Sequence, residues 1–144
     1  MNPEALARAL DHLSESQFEG WLKIAVWHHP VRGPDAIDDA FLERLAVQAF
    51  KVCLHGHVHQ AIENYHRYDD LRRLHVIGAG TFGAPSDSRP LGIPLGYNVL
   101  TYDRQAMQIT VSTRKREKPH GAWCADARWG DKNKPQPSYV VDLQ

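Results

Sequence analysis

Cysteine is scarce in this chain. Cys53 and Cys124 lie far apart, which excludes both a disulfide framework and a zinc-ribbon spacing. Such usage fits a reducing compartment, so a cytoplasmic location is expected. Long apolar runs are missing as well. No stretch approaches the roughly 20 residues needed to span a bilayer, and no membrane partner is expected. The opening Met1-Asn2-Pro3-Glu4-Ala5 lacks the basic-then-apolar order of a signal peptide. Excess charge of either sign is absent. With 17 basic and 17 acidic residues, no global field draws the chain toward nucleic acid or anionic lipid. Repeats and low-complexity tracts are absent too. What remains is an ordinary globular composition over 144 residues, room for one modest domain and too little for two.

Histidine is what stands out. Three of the nine fall within the five residues His55-Gly56-His57-Val58-His59. An extended backbone would point the rings of His57 and His59 to one side, and Gly56 can turn the chain without a Cβ penalty. Imidazoles grouped at a strand end suggest a metal.

The rest of the chain supplies the setting. Asn2 is a cap for a helix from Pro3 to Leu13, where Leu6, Leu10 and Leu13 keep helical spacing. Trp21 to His28 reads as a largely buried strand that ends at His28-His29-Pro30. Asp35 is then the cap of a helix to about Phe50, with Ile37, Phe41, Leu42, Leu45, Ala46 and Ala49 as its apolar stripe. Lys51 to Leu54 is a short strand that delivers the histidine cluster. This order predicts a right-handed βαβ unit with parallel strands, both ending in histidine over one crevice.

From Ala61 the pattern turns to β: strands at 62–68 and 74–77, then a long loop from Thr81 to Gly96. Strands 97–102 and 107–113 form an antiparallel hairpin. Beyond Arg114 the chain reads as an irregular tail in which Tyr139-Val140-Val141 docks as an edge strand. The run Arg114-Lys115-Arg116-Glu117-Lys118 reads as a solvated strand end in preference to a phosphate or RNA site. Trp123, Trp129 and Tyr139 read as pins for the tail in preference to stacking a base. Thr81 and Phe82 are candidates for the border of a substrate crevice, with a plain strand-exit turn equally open.

The residues His28-His29-Pro30, His55-Gly56-His57-Val58-His59, Leu74-His75-Val76-Ile77-Gly78-Ala79-Gly80-Thr81-Phe82-Gly83 and the hairpin to Thr113 resemble the second half of a calcineurin-like metallophosphoesterase. The resemblance covers about Trp21 to Thr113. It implies an α/β (α+β) fold that is the C-terminal half of a β-sandwich flanked by helices, with 1–113 as a partial domain and 114–144 as a tail packed on it. It implies His28 and His57 as ligands of the family's second metal and His59 of the first. His29, His55 and Gly56 flank or support those ligands. In the family two divalent ions, Mn, Fe or Zn, hold a phosphate ester and polarise it.

The family's Asp-x-His, Gly-Asp-x-x-Asp and Gly-Asn-His segments are not in this chain. Two divalent ions bring four positive charges, and three neutral imidazoles neutralise none of them. The chain is therefore expected to hold at most one ion and to be catalytically incomplete alone. It reads as a fragment that needs an N-terminal half or associates with itself. The other readings are a non-catalytic α/β interaction module and a mononuclear metal-binding protein using the same histidines.

Overall fold

The computed structural model describes residues 2–85, 87 and 89–144. Among them the chain forms a mixed α+β fold with few helices and several sheets, ordered α1 (Pro3–Leu13), β1 (Ile24–Trp27), α2 (Asp39–Val47), β2 (Val52–His55), β3 (Ile62–Arg67), β4 (Arg73–Gly78), β5 (Leu95–Asp103), β6 (Gln108–Arg116), β7 (Cys124–Ala125), β8 (Trp129–Asp131), β9 (Lys134–Gln136) and β10 (Ser138–Asp142). The first sheet runs β1-β2-β4-β3. A second runs β10-β6-β5 with β7 on β6, and β8-β9 is a separate ribbon. No helix among the described residues is long and apolar enough to cross a membrane.

Side-chain alternation explains the layers. In β2 and β4, Cys53, Leu74 and Val76 point one way, into a core shared with Leu10 of α1 and Leu42, Leu45 and Ala46 of α2. Val52 and Ile77 point the other way, onto Ile109, Val111, Val141 and Leu143 of the second sheet and the segment after it. Helices, first sheet and second sheet thus stack as three layers with two cores. Each fully buried Leu or Ile in them contributes about 1.5–3 kcal/mol of transfer free energy.

Several local readings hold. Asn2 Oδ1 accepts from the backbone N–H of Glu4 and Ala5, so the first helix is capped as its sequence requires. β1 and β2 are parallel, with Ile24 opposite Val52 and Trp27 opposite His55. The hairpin pairs Asp103 with Gln108 and carries its register to Leu95 and Arg116. The turn at Asp69-Asp70 forms around the Asp69 carboxylate, which accepts from the N–H of Leu71 and Arg72.

Other readings need correction. The second helix starts three residues later than a cap at Asp35 implies: Asp38 is the cap and accepts from the Ala40 N–H. Ile37 precedes the helix, and Ala49, with φ 61°, lies past its end. The strand expected over 21–28 is only four residues long and is not largely buried. Ile24 and Val26 are exposed, Val26 by 72%. β1 is the edge of its sheet, so α1 and α2 cover its Ala25 and Trp27 side while the second sheet stops short of the other. The segment 114–144 is not irregular. It holds β7 to β10, and β10 runs antiparallel along β6, burying Val141. The expected boundary at 113 falls inside β6, so the last strand belongs to the same body as the hairpin. The expected loop over 81–96 gives way to β5 at Leu95; Ser86 and Ser88 within it lie outside the described residues.

Candidate metal site at the carboxyl ends of the parallel strands

Parallel pairing of β1 with β2 brings their carboxyl ends side by side; β2 ends at His55, and His28 follows directly on Trp27, the last residue of β1. The Gly56 N–H donates to the Trp27 carbonyl, 3.3 Å, which ties the two strand exits together. A Cβ on Gly56 would lie 3.3 Å from Nδ1 of His28, tighter than ordinary contact, so glycine leaves the room this ring occupies.

The turn itself forms one residue later than the sequence suggests. His57, not Gly56, has the positive φ, 64°, and the Val58 N–H donates to the Gly56 carbonyl at 2.8 Å. A three-residue turn around a non-glycine residue at positive φ is an uncommon, costly conformation, and such outliers collect at functional sites. It also breaks the extended geometry that would have set His57 and His59 on one side.

The consequence is a pair and a separate ring. His57 Nδ1 lies 3.2 Å from His28 Nε2, with ring centroids 5.1 Å apart and nearly perpendicular. Both rings are exposed. His59 instead places Nδ1 2.9 Å from Thr81 Oγ1. In the tautomer where Nδ1–H donates to that hydroxyl, the lone pair of His59 sits on Nε2, the usual arrangement for a histidine oriented to ligate. The structure thus joins His28 to His57 and ties His59 to Thr81. Among the described residues, no three His, Cys, Asp or Glu side chains are gathered closely enough to hold an ion.

The N···N spacing of the pair, here a hydrogen-bond contact, is also that of two ligands of one cation. Two nitrogens about 2.0–2.1 Å from one ion are about 2.9 Å apart at a right angle and about 3.4 Å apart at the tetrahedral angle. The observed 3.2 Å falls between these. Two ligands are fewer than any stable protein site needs, however, and among the described residues no carboxylate joins these rings in a group that could hold an ion.

The neighbours have structural work. Trp27 Nε1–H donates to the His29 carbonyl at 2.7 Å, while the His29 ring is exposed and edge-on to His28. His55 is buried, near-parallel to Trp27, and its Nδ1–H donates to the Gly56 carbonyl at 2.9 Å. Burial pushes its pKa down, opposed by the hydrogen bond to that carbonyl. Its Nε2 pairs with none of the described residues. A Cβ on Gly78 would come within 2.8 Å of that atom, so Gly78 is the floor on which His55 rests.

Phe82, a candidate for the crevice border, is exposed and stacks on Trp123. Trp129 behaves as a pin: it packs on Tyr139 and donates Nε1–H to Thr113 Oγ1 at 2.8 Å. Trp123, Tyr97 and Arg116 join Phe82 in one group that the sequence does not foreshadow. Their only sequence signal is aromatic and basic character at strand ends, because 41 residues separate Phe82 from Trp123.

No protein-family model matches the chain. No curated protein matches it either.

Proposed function

We propose that this chain supplies the histidine side of a metal-dependent phosphoester-hydrolysing centre, as in the calcineurin-like metallophosphoesterases that its sequence resembles. The observation that carries this reading is the pairing of His28 Nε2 with His57 Nδ1, 3.2 Å apart at adjacent carboxyl ends of parallel strands. His28 and His57 would hold one ion; His59, oriented by Thr81, would be available to another. A divalent ion of Mn, Fe or Zn supplies Lewis-acid polarisation of a phosphoryl oxygen when bound. The chain's own part is to position the imidazoles: the strained turn at His57 aims one ring, and the glycine at 56 makes room for the other.

Neutral imidazoles leave the charge of two such ions uncompensated, so carboxylates from another segment complete the centre in this reading. The chain alone holds one ion weakly and does not turn over substrate. Calorimetric titration with Co(II) or Zn(II) is the test. One weak site is expected, lost in His57→Ala and in His28→Ala and retained in His29→Ala, with no hydrolysis of aryl phosphate monoesters or diesters. Two tight ions per chain would overturn the charge argument. No binding at all would overturn the metal reading.

A second reading, a non-catalytic module that completes another chain, is favoured by the uncovered side of β1. Val26 is 72% exposed beside an unpaired strand edge, the kind of surface proteins normally cover.

A further inference from the structure

Next to Thr81, the hydroxyl partner of His59, begins an aromatic group with no assigned task. Three rings reach it from three segments. Phe82 and Trp123 lie face to face, centroids 5.2 Å apart and 12° from parallel. Tyr97 sets an edge against both, 4.7 Å from Trp123 and 5.7 Å from Phe82. The guanidinium of Arg116 lies 4.9 Å over the Trp123 ring.

Each member is held from outside. The Thr81 carbonyl accepts from the Gly96 N–H at 2.8 Å, and a Cβ on Gly80 would meet the Gly96 Cα at 3.3 Å, so the Phe82 loop lies directly on the start of β5 beside Tyr97. Trp123 is fixed from β6: its carbonyl accepts from the Arg114 guanidinium at 3.3 Å, and β7 begins at the next residue. Offset aromatic stacking and a cation over an indole each add to this order. Core packing does not account for the arrangement, because Phe82 is 63% exposed. Trp123 covers one face of Phe82, and the ring's exposure leaves the other as a flat apolar surface set in place by its contacts with Trp123 and Tyr97. A platform ordered in advance avoids the entropic cost of being ordered by its ligand.

We propose that the open face of Phe82 is a stacking platform for a planar aromatic ring carried by the phosphoester, a nucleobase being the ring that such a flat, sequence-tolerant surface takes. This rests on the phosphoester reading above. The phosphoryl group would lie toward His57 and His59 and the base on Phe82, one residue from the hydroxyl that orients His59. Trp123, Tyr97 and Arg116 touch no ligand in this arrangement; they position Phe82.

The test uses the full chain and NMR titrations with adenosine 5′-monophosphate, adenosine, ribose 5-phosphate and phenyl phosphate, with and without Zn(II). Base stacking on one aromatic side chain corresponds to about tenfold or more in affinity. Adenosine monophosphate is therefore expected to bind about tenfold more tightly than ribose 5-phosphate, a ratio lost in Phe82→Ala and kept in Phe82→Tyr. Phe82 is exposed, so both variants are expected to keep the wild-type fold, with amide shifts changed only near Phe82, Tyr97 and Trp123. Equal binding of the two phosphates, or a ratio unchanged in Phe82→Ala, overturns the platform. Phenyl phosphate binding as tightly as the nucleotide overturns the nucleobase assignment. If adenosine binds as well as its monophosphate and Zn(II) adds nothing, the phosphoester reading fails while the platform stands.

Discussion

Gly78 is the position where the candidate site and the stability of the fold meet. It ends β4 opposite His55 in the parallel ladder and opposite Ile62 in the antiparallel one. A Cβ added there lies 2.7 Å from Cγ1 of Ile62, 2.8 Å from Nε2 of His55 and 3.0 Å from its Cε1. Carbon atoms prefer about 3.5–4.0 Å, so in Gly78→Ala both neighbours must retreat by about 1 Å. His55 has nowhere easy to go, because Trp27 lies alongside its ring and its Nδ1–H is bound to the Gly56 carbonyl. Overpacking of this kind costs about 1–3 kcal/mol, offset by about 0.4–1 kcal/mol from the less flexible unfolded chain. A net loss of about 1–2 kcal/mol corresponds to a fall in Tm of about 3–8 °C for a domain of this size. Thermal melts followed by circular dichroism measure it, and a cycle with His55→Ala isolates the contact. In the His55→Ala background the added methyl group loses its two contacts with the His55 ring while the one with Ile62 stays, so the penalty should fall by about 0.5 kcal/mol or more. A Gly78→Ala protein that melts within 1 °C of wild type, or a cycle that is additive, would refute the reasoning.

Three further outcomes follow from other parts of the molecule. The uncovered β1 edge should make the chain self-associate, and Val26→Lys should suppress this in sedimentation velocity; a wild-type chain that stays monomeric as concentration rises would sink the idea. Cys124 is exposed and Cys53 is buried, its thiol pushed up to about 12 by burial, so Ellman's reagent should titrate one thiol at once and the second only on unfolding. Two thiols reacting at one rate would contradict that. The N–H and side chain of Arg72, then the N–H of Leu71, hold the Asp69 carboxyl at about 2 against an ordinary 3.8. Because this pKa is lower when folded, the contribution of the turn is complete above 3.8 and is lost as pH falls from there toward 2. A carboxyl NMR titration with its midpoint near 3.8 would show the turn unformed.

The sequence by itself determined the elements whose causes are local. Asn2 ahead of a leucine-spaced run makes a capped helix wherever it is placed, and the alternating residues on either side of Asp103 to Met107 close a hairpin by nearest-neighbour pairing. Two apolar strands separated by an amphipathic helix were enough to predict β1 parallel to β2, and hence histidines from both strand ends in one place. The cap at Asp38 instead of Asp35 was a choice between two similar carboxylates, and it is Asp38 that accepts from the Ala40 N–H.

The tertiary structure alone decided which rings meet. The backbone at His57 takes a positive φ that its residue type does not demand, and that single turn sends its ring to His28. His59 is claimed by Thr81, 22 residues on, through a bond that exists only because β4 lies beside β2. Exposure of Val26 was equally invisible in an apolar stretch, since it depends on how far the second sheet reaches. Phe82, Tyr97 and Trp123 form one aromatic group only after β5, β6 and β7 pair. Local propensity acts over a few residues, whereas contacts between segments 20 to 40 residues apart depend on how completed layers stack.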